Sequence, residues 1–387
     1  MTSRTRIWVL VVSTPIIAFA VLGGYLGQVL AKDDTYQHLR VFEDVVSLVL
    51  NNYVEEVDVR KAMGGAMRGL ADGLDADSGY VAADLVKAIE SNQPSGPADI
   101  GVEVTRQYYL RIVSVREGSS AAKSGLRSGD FIRAIDGKAT RDMSSYEGNR
   151  LLHGTQGSKV MLLVIRGNAA DPHEVTVTRE RPSNMEITSR MADGSTGYVH
   201  IHAFTKETPT RLKQTFDSLT KSGASRFVVD LRDSATGDVE DAITTARLFV
   251  KSGTLTVKQF KGAKEVVTAQ ATDGAITART VLLVDPGTAG PGEVFAAALD
   301  GNNRAELIGE HTLGRAARQQ LIKLPDGSGL LLTNLRYQTP AGKEIHEKGL
   351  EPDVPVDAPD VEFGSEPPTT DPILDKALQV IAEKKAA

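Results

Sequence analysis

A chain of 387 residues that is 41% hydrophobic and 24% charged has the composition of a globular protein of two or three domains, which excludes wholesale disorder. Its 44 Lys and Arg against 50 Asp and Glu leave a net charge of -6, and no basic run with interleaved aromatics offsets it, so nucleic acid is not an expected partner. Cysteine is absent, which excludes disulfides, thiolate nucleophiles and cysteine-ligated zinc.

Arg4 and Arg6 precede an uncharged apolar stretch from Ile7 to Ala31, long enough to cross a hydrocarbon core of about 30 Å. A secretory signal cut after Ala31 is one reading; the length of the stretch, beyond the usual apolar core of a signal, favours a retained membrane anchor through residues 7–31. Both readings keep the arginines inside and send the rest of the chain out of the cytoplasm, to the periplasm or cell surface.

From Asp34 to about Asn92 the pattern is helical. Leu39, Phe42, Val45, Val46, Val49 and Leu50 recur at three- and four-residue steps and make one apolar stripe. Further helices are expected near Val59 to Leu70 and from about Ala83. With no evident partner in the chain for that stripe, this arm and the final helix are expected to mediate self-association or docking, and a homo-oligomer is the expected state. Gln93-Pro94-Ser95-Gly96-Pro97 reads as a linker.

Residues 98–182 alternate in the β manner. Strands are expected at Ile100 to Val104, Leu110 to Val115, Phe131 to Ile135, Val160 to Ile165 and Glu174 to Arg179, with one helix from Ser144 to Leu152. From about Met185, strands at Gly197 to Phe204, Arg226 to Leu231, Val281 to Val284 and Ala305 to Ile308 alternate with helices at Pro209 to Lys221, Val239 to Phe249 and Glu293 to Asp300, the pattern of an α/β core. Pro325-Asp326-Gly327-Ser328 is a hairpin turn between apolar runs. After Glu351-Pro352-Asp353 the chain is proline-rich and acidic until a helix around Pro372 to Lys384. His200 and His202 flank Ile201 and share one strand face. No Glu or Asp stands at a spacing that completes a metal site with them, so no metal is expected.

Several segments together resemble the C-terminal processing peptidases, or tail-specific proteases, serine peptidases with a PDZ domain and a Ser-Lys dyad. Asn51 to Asp58 and Gly73 to Tyr80 resemble the family's N-terminal arm. Ile100 to Val104, Ser120 to Asp130 and Ile135-Asp136-Gly137 resemble its PDZ module, and Gly309 to Gly314, Leu324 to Gly327 and Tyr337 to Asp353 the end of its catalytic domain. The resemblance implies a multidomain α+β protein: membrane segment 1–31, helical arm 32–95, PDZ domain 96–182, an α/β core like those of crotonase and Clp protease at 183–350, and a proline-rich tail with a terminal helix at 351–387. It implies no cofactor.

The positions that carry catalysis in that family differ here. Gly287-Thr288-Ala289-Gly290-Pro291-Gly292-Glu293 puts Gly290 where the family has its nucleophilic serine, and Arg315 takes the place of the general-base lysine. Glycine cannot form an acyl-enzyme, and a guanidinium stays protonated. Thr236 stands where the first glycine of the oxyanion segment is expected, before Gly237, while Gln319 matches a family glutamine. The expectation is therefore a homologue without peptidase activity; the alternative is a divergent active peptidase, with Thr288 and His311 as relocated nucleophile and base. By the same resemblance, backbone N–H groups at Ile100, Gly101 and Val102 would receive the carboxylate of a polypeptide C-terminus, and Leu151 and Leu152 would line the adjoining pocket. The family often carries Arg where His153 stands.

Overall fold

The computed structural model describes residues 36–91, 96–167, 171–182, 186–359, 361–365 and 368–383. The apolar stretch Ile7–Ala31 and linker residues 93–95 lie outside the described residues. Among those described, no helix is long and apolar enough to cross a membrane. The chain divides into two units, residues 1–66 and 67–387.

In the first unit, residues 36–52 form helix α1. Its stripe is open to solvent: Leu39, Phe42, Val45, Val49 and Leu50 are all exposed. Helix α2 (Val59–Asp72) spans the division at Ala66.

The second unit begins with a strap. Strand β1 (Gly79–Val81) is followed by helix α3 (Ala83–Glu90). Alternation within the helical arm is too short to announce β1, yet Gly79, Tyr80 and Val81 pair antiparallel with Leu331, Leu330 and Gly329.

A small β domain follows: β2 (Val102–Gln107), β3 (Tyr109–Val115), helix α4 (Ser120–Lys123), β4 (Phe131–Ile135), β5 (Lys138–Ala139), helix α5 (Ser145–Leu152), β6 (Lys159–Ile165) and β7 (His173–Thr178). Its sheet runs β2-β3-β4-β6-β7, so β2 is an edge strand. Every second residue of these strands points inward, and Val104, Leu110, Ile112, Ile132, Leu162 and Val177 fill one core. Ser144 starts α5 by accepting the Glu147 N–H at 3.2 Å.

The larger core is built on a six-stranded sheet. Its strands are β8 (Ile187–Met191), β9 (Thr196–Ile201), β11 (Arg226–Asp230), β15 (Arg279–Val284), β16 (Ala305–Gly309) and β19 (Val354–Pro355), after the short β10 (Ala203–Phe204) and β12 (Thr236–Gly237) are set aside. The order is β19-β16-β15-β11-β9-β8, parallel except for β8 against β9. Both faces are buried, which is why these strands read as continuous apolar runs. Val229, Leu282 and Leu307 face helices α6 (Thr208–Lys221), α7 (Val239–Ala246) and α8 (Pro291–Asp300). Val228, Val281, Leu283 and Ile308 face the terminal helix α9 (Pro372–Glu383), which sends Ile373, Ala377 and Ile381 into them. Burying each of those isoleucines contributes about 1.5–3 kcal/mol. The apolar face of α9 is thus used within the chain, contrary to the expected role in association.

A second, antiparallel sheet joins β1 to β13 (Thr254–Phe260), β14 (Ala263–Thr268), β17 (Ala317–Lys323) and β18 (Gly329–Gln338) in the order β1-β18-β13-β14, with β17 also on β18. The Pro325–Ser328 turn joins β17 to β18, with Asp326 accepting the Ser328 N–H at 3.0 Å.

Candidate active site

Strand β15 runs through a tight turn into α8, whose N-cap is Gly290 at φ 54°, ψ -109°. That backbone belongs to glycine; an L-residue holds it only under strain. Helix α8 is buried along Pro291–Leu299, and the run Ala296-Ala297-Ala298 lets neighbouring elements approach closely. Gly290 is itself buried.

The element that fixes the turn is Glu293. Its carboxylate is wholly buried and accepts four bonds: from the N–H groups of Gly290 (2.9 Å), Gly314 (2.6 Å) and Arg315 (2.7 Å) and from the Thr312 hydroxyl (2.5 Å). Burial pushes its pKa up, and the four donors oppose that shift. Through this one side chain, residues 312–315 are held beside the start of α8. A Cβ built on Gly290 would lie 3.6 Å from the Arg315 carbonyl oxygen, so the two positions are neighbours.

The Arg315 side chain turns to the strap, where its Nε donates to Asp77 Oδ1 at 2.9 Å. Asp77 is buried and also accepts the Thr105 hydroxyl of β2 at 3.2 Å. Asp75 shapes this segment by accepting the N–H groups of Asp77 and Ser78. Burial works against the charge on Arg315, but Asp77 and Glu103 together hold its pKa above the ordinary value, the opposite of what a general base requires.

Residues 234–237 flank the turn, with Ser234 O accepting the Ala289 N–H at 3.3 Å. Thr236 and Gly237 pair with Ala203 and Phe204. A Cβ on Gly237 would fall 2.0 Å from the Phe204 carbonyl oxygen, so only glycine fits there. Gln319 sits at a bulge of β17 with its amide on the Thr333 hydroxyl at 3.3 Å. Thr288 is buried and its hydroxyl donates to the Leu231 carbonyl at 2.8 Å. His311 is half-exposed, 3.6 Å from Glu351. Neither the hydroxyl nor the imidazole is directed at the other by these bonds.

In the small domain, Ile100 and Val102 are buried. Gly101 has φ 88°, and a Cβ there would meet Ser119 Cβ at 2.2 Å. Leu151 is partly exposed, whereas Leu152 is sealed in the domain core. Leu152 is a packing residue with almost no surface to offer a ligand, while Leu151 packs on the edge of the same cluster and keeps part of its surface open. The far end of β2 is covered by the strap: Arg106 pairs with Asp72 at 2.6 Å, and Thr105 bonds Asp77. The near end, at Gly101 and Val102, opens on a cleft of about 1720 Å³ between the small domain and the core.

This cleft is strongly charged. Arg232 bridges the buried Asp230 and Asp371, which precedes α9. Burial opposes ionisation of Asp230, yet Arg232 holds its carboxyl below the usual range. Asp233, pushed up to about 6 by burial, accepts the Val115 N–H at 2.9 Å and so ties β3 to the core. Burial and the charge of Asp233 also hold the Asp285 carboxyl well above the usual range.

Residues 195–356 match the model of peptidase family S41, and residues 111–166 that of a PDZ domain. Over 373 residues the chain is 31% identical to the carboxy-terminal processing protease CtpA of Bacillus subtilis, covering 93% of this chain and 79% of the relative. The chain belongs to the C-terminal processing peptidases. Another member, the carboxy-terminal-processing protease of Bartonella bacilliformis, is 28% identical over 335 residues, which are 85% of this chain and 77% of that one. Among solved structures, the photosystem II D1 C-terminal processing protease matches with a TM-score of 0.70 at 27% identity, over 82% of this chain and 86% of its own.

Within this S41 peptidase fold, two further residues shape the nucleophile turn. Glu293 stands three residues after the N-cap and accepts the Gly290 N–H, the one half of a capping box that a glycine N-cap allows, and that spacing was available in the sequence. Pro291 follows Gly290 and has no N–H. In strand-turn-helix elbows the N–H after the nucleophile commonly supplies an oxyanion donor; here that donor is missing. Asp77 carried no signal of its own, because its partner Arg315 is remote in sequence.

Proposed function

We propose that this chain is a membrane-anchored, extracytoplasmic C-terminal processing peptidase homologue that binds polypeptide C-termini or a partner protein without cleaving them. The observation that carries this reading is the pair at the α8 elbow. Gly290 has no atom to attack a carbonyl, and its neighbour Arg315 is a cation held by Asp77. Covalent catalysis needs both a nucleophile and a group that takes its proton. Pro291 supports the same reading by removing an oxyanion donor. For the ligand class, support comes from Gly101 and Val102, which open on a cleft also lined by Arg127, with Arg116 and Lys123 there paired to Asp99 and Glu180; the backbone N–H groups of that turn suit a terminal carboxylate.

The purified chain should leave peptides with apolar C-termini intact and should gain no mass from serine-directed phosphonates. The same peptides with a free C-terminus should bind more tightly than their amidated forms, because amidation removes the charge to be captured. Cleavage by the native chain would refute the non-hydrolysing reading; equal affinity for both peptide forms would refute carboxylate capture alone.

Self-association belongs to the same proposal. The exposed Leu39, Phe42, Val45, Val49 and Leu50 of α1 form a surface that a second copy would bury, as expected of a contiguous apolar patch. Val45→Glu combined with Val49→Glu should convert the detergent-purified oligomer to a monomer in sedimentation. A native chain that is already monomeric at micromolar concentration would count against it.

A further inference from the structure

The turn after β3 and the strand β9 meet across the cleft at a point the catalytic fold does not use. His200 and His202 lie on one face of the chain, with Ile201 between them buried in the opposite direction. Their rings are 3.9 Å apart between centroids. Glu117, from the PDZ domain, reaches both: its Oε2 is 3.7 Å from His200 Nδ1 and 3.5 Å from His202 Nε2. One ligand atom from each of the three residues lies within 4.8 Å of the others. The third ligand, an acidic residue absent from the local spacing around the histidines, is supplied by another domain.

We propose that Glu117, His200 and His202 form a binding site for a zinc-class divalent cation that bridges the PDZ domain to the peptidase core. A tetrahedral ion with bonds of about 2.0–2.1 Å needs ligand atoms roughly 3.3–3.5 Å apart, and the two Glu117 distances already lie near that spacing. Two imidazoles and one carboxylate form the ligand set of open zinc sites, which leave a position for water. His200 is oriented as a ligand should be: its Nε2 donates to the Arg232 carbonyl at 2.9 Å, which fixes the tautomer and leaves the Nδ1 lone pair facing Glu117. On His202, Nε2 stands 3.0 Å from the Thr188 hydroxyl, a neutral partner that an ion displaces at little cost. The side chain of Arg232, whose carbonyl holds His200, is neutralised by Asp230 and Asp371. Glu117 is largely exposed at the mouth of the cleft, with 66% of its side chain accessible, so a hydrated ion has a path in.

A bound ion would fasten the Glu117 turn to β9, beside the existing bond from Val115 to Asp233. It would act as a structural staple and as a Lewis-acidic point in the cleft that receives the PDZ loop.

The test uses the tag-free chain with cobalt(II) as a spectroscopic stand-in and zinc(II) as competitor. One cobalt per chain should bind, with the intense visible absorption of a tetrahedral centre, and zinc should abolish that spectrum and raise the unfolding temperature. Glu117→Gln, an exposed change that leaves the fold intact, should weaken cobalt binding at least tenfold and remove the thermal shift; His202→Asn should remove the spectrum. Absence of binding below millimolar cobalt, a purely octahedral spectrum, or binding unchanged in Glu117→Gln would overturn the proposal and leave the three side chains as neighbours without an ion.

Discussion

Glu293→Ala should lower the unfolding free energy by about 4 kcal/mol or more, a large share of the ~5–15 kcal/mol that keeps a domain folded. The substitution strands three backbone N–H groups, those of Gly290, Gly314 and Arg315, and the Thr312 hydroxyl in a site without water access. Each buried donor left unmade costs about 1–3 kcal/mol, and relaxation recovers part of the sum. Glu293→Gln should fall between native and alanine, since its amide keeps one acceptor oxygen but points an NH2 group at N–H donors. Urea unfolding of the three proteins measures this order. A glutamine variant less stable than alanine would show that the site rejects a second donor more strongly than it needs the acceptor, and a native-like alanine variant would remove Glu293 from the centre of the site.

Rebuilding the dyad should fail in a defined sequence. Gly290→Ser has room for its Cβ, which would lie 3.6 Å from the Arg315 carbonyl oxygen, at a backbone strain of about 1–3 kcal/mol. It gains no base, because Arg315 stays charged. Adding Arg315→Lys supplies a titratable amine, but Asp77, buried beside it, holds that amine protonated, so the double variant should show weak hydrolysis at most. Asp77→Asn then frees the lysine to lose its proton, and Pro291→Ala restores an N–H at the elbow. Each oxyanion donor regained is worth ~100–1,000-fold in rate, and Thr236→Gly should add to it. Peptide hydrolysis and phosphonate labelling read each step. Full activity in Gly290→Ser alone would show that a base other than residue 315 serves the site.

Much of this architecture was legible because period and burial agree. Residues 226–230 and 279–284 announce themselves as strands since both their faces are covered, and α5 and α6 begin and end within a residue or so of the pattern read from sequence. Other elements were silent for physical reasons. Strand β1 has three residues and owes its conformation to β18, while β14 is largely exposed and has little apolar alternation to read. The positions of Gly290 and Arg315 were legible from motif order, but their adjacency depends on Glu293 reaching Thr312, Gly314 and Arg315. No local pattern reports such a bond. Leu152 shows the converse error, an apolar residue beside a groove assigned to the groove when the helix had turned it into the core. The Glu117 cluster stayed hidden because its members sit on different domains.

The pairing of β1 with β18 also sets an order of events during synthesis. Gly79 meets Leu331, so the strap leaves the ribosome early and waits for a partner near the other end of the chain. The PDZ domain, whose strands pair only with one another, can fold in that interval, since domains emerging first generally fold as units. Until β18 arrives, β1 has no ladder partner, and the buried acid Asp77 has no Arg315 to neutralise it. Completion of the elbow is therefore a late step, governed by closure of a very long loop whose entropic cost grows only slowly with length but whose search is slow. A nascent chain paused before residue 329 would hold a finished PDZ module and an unfinished site, with an open edge for a chaperone to cover.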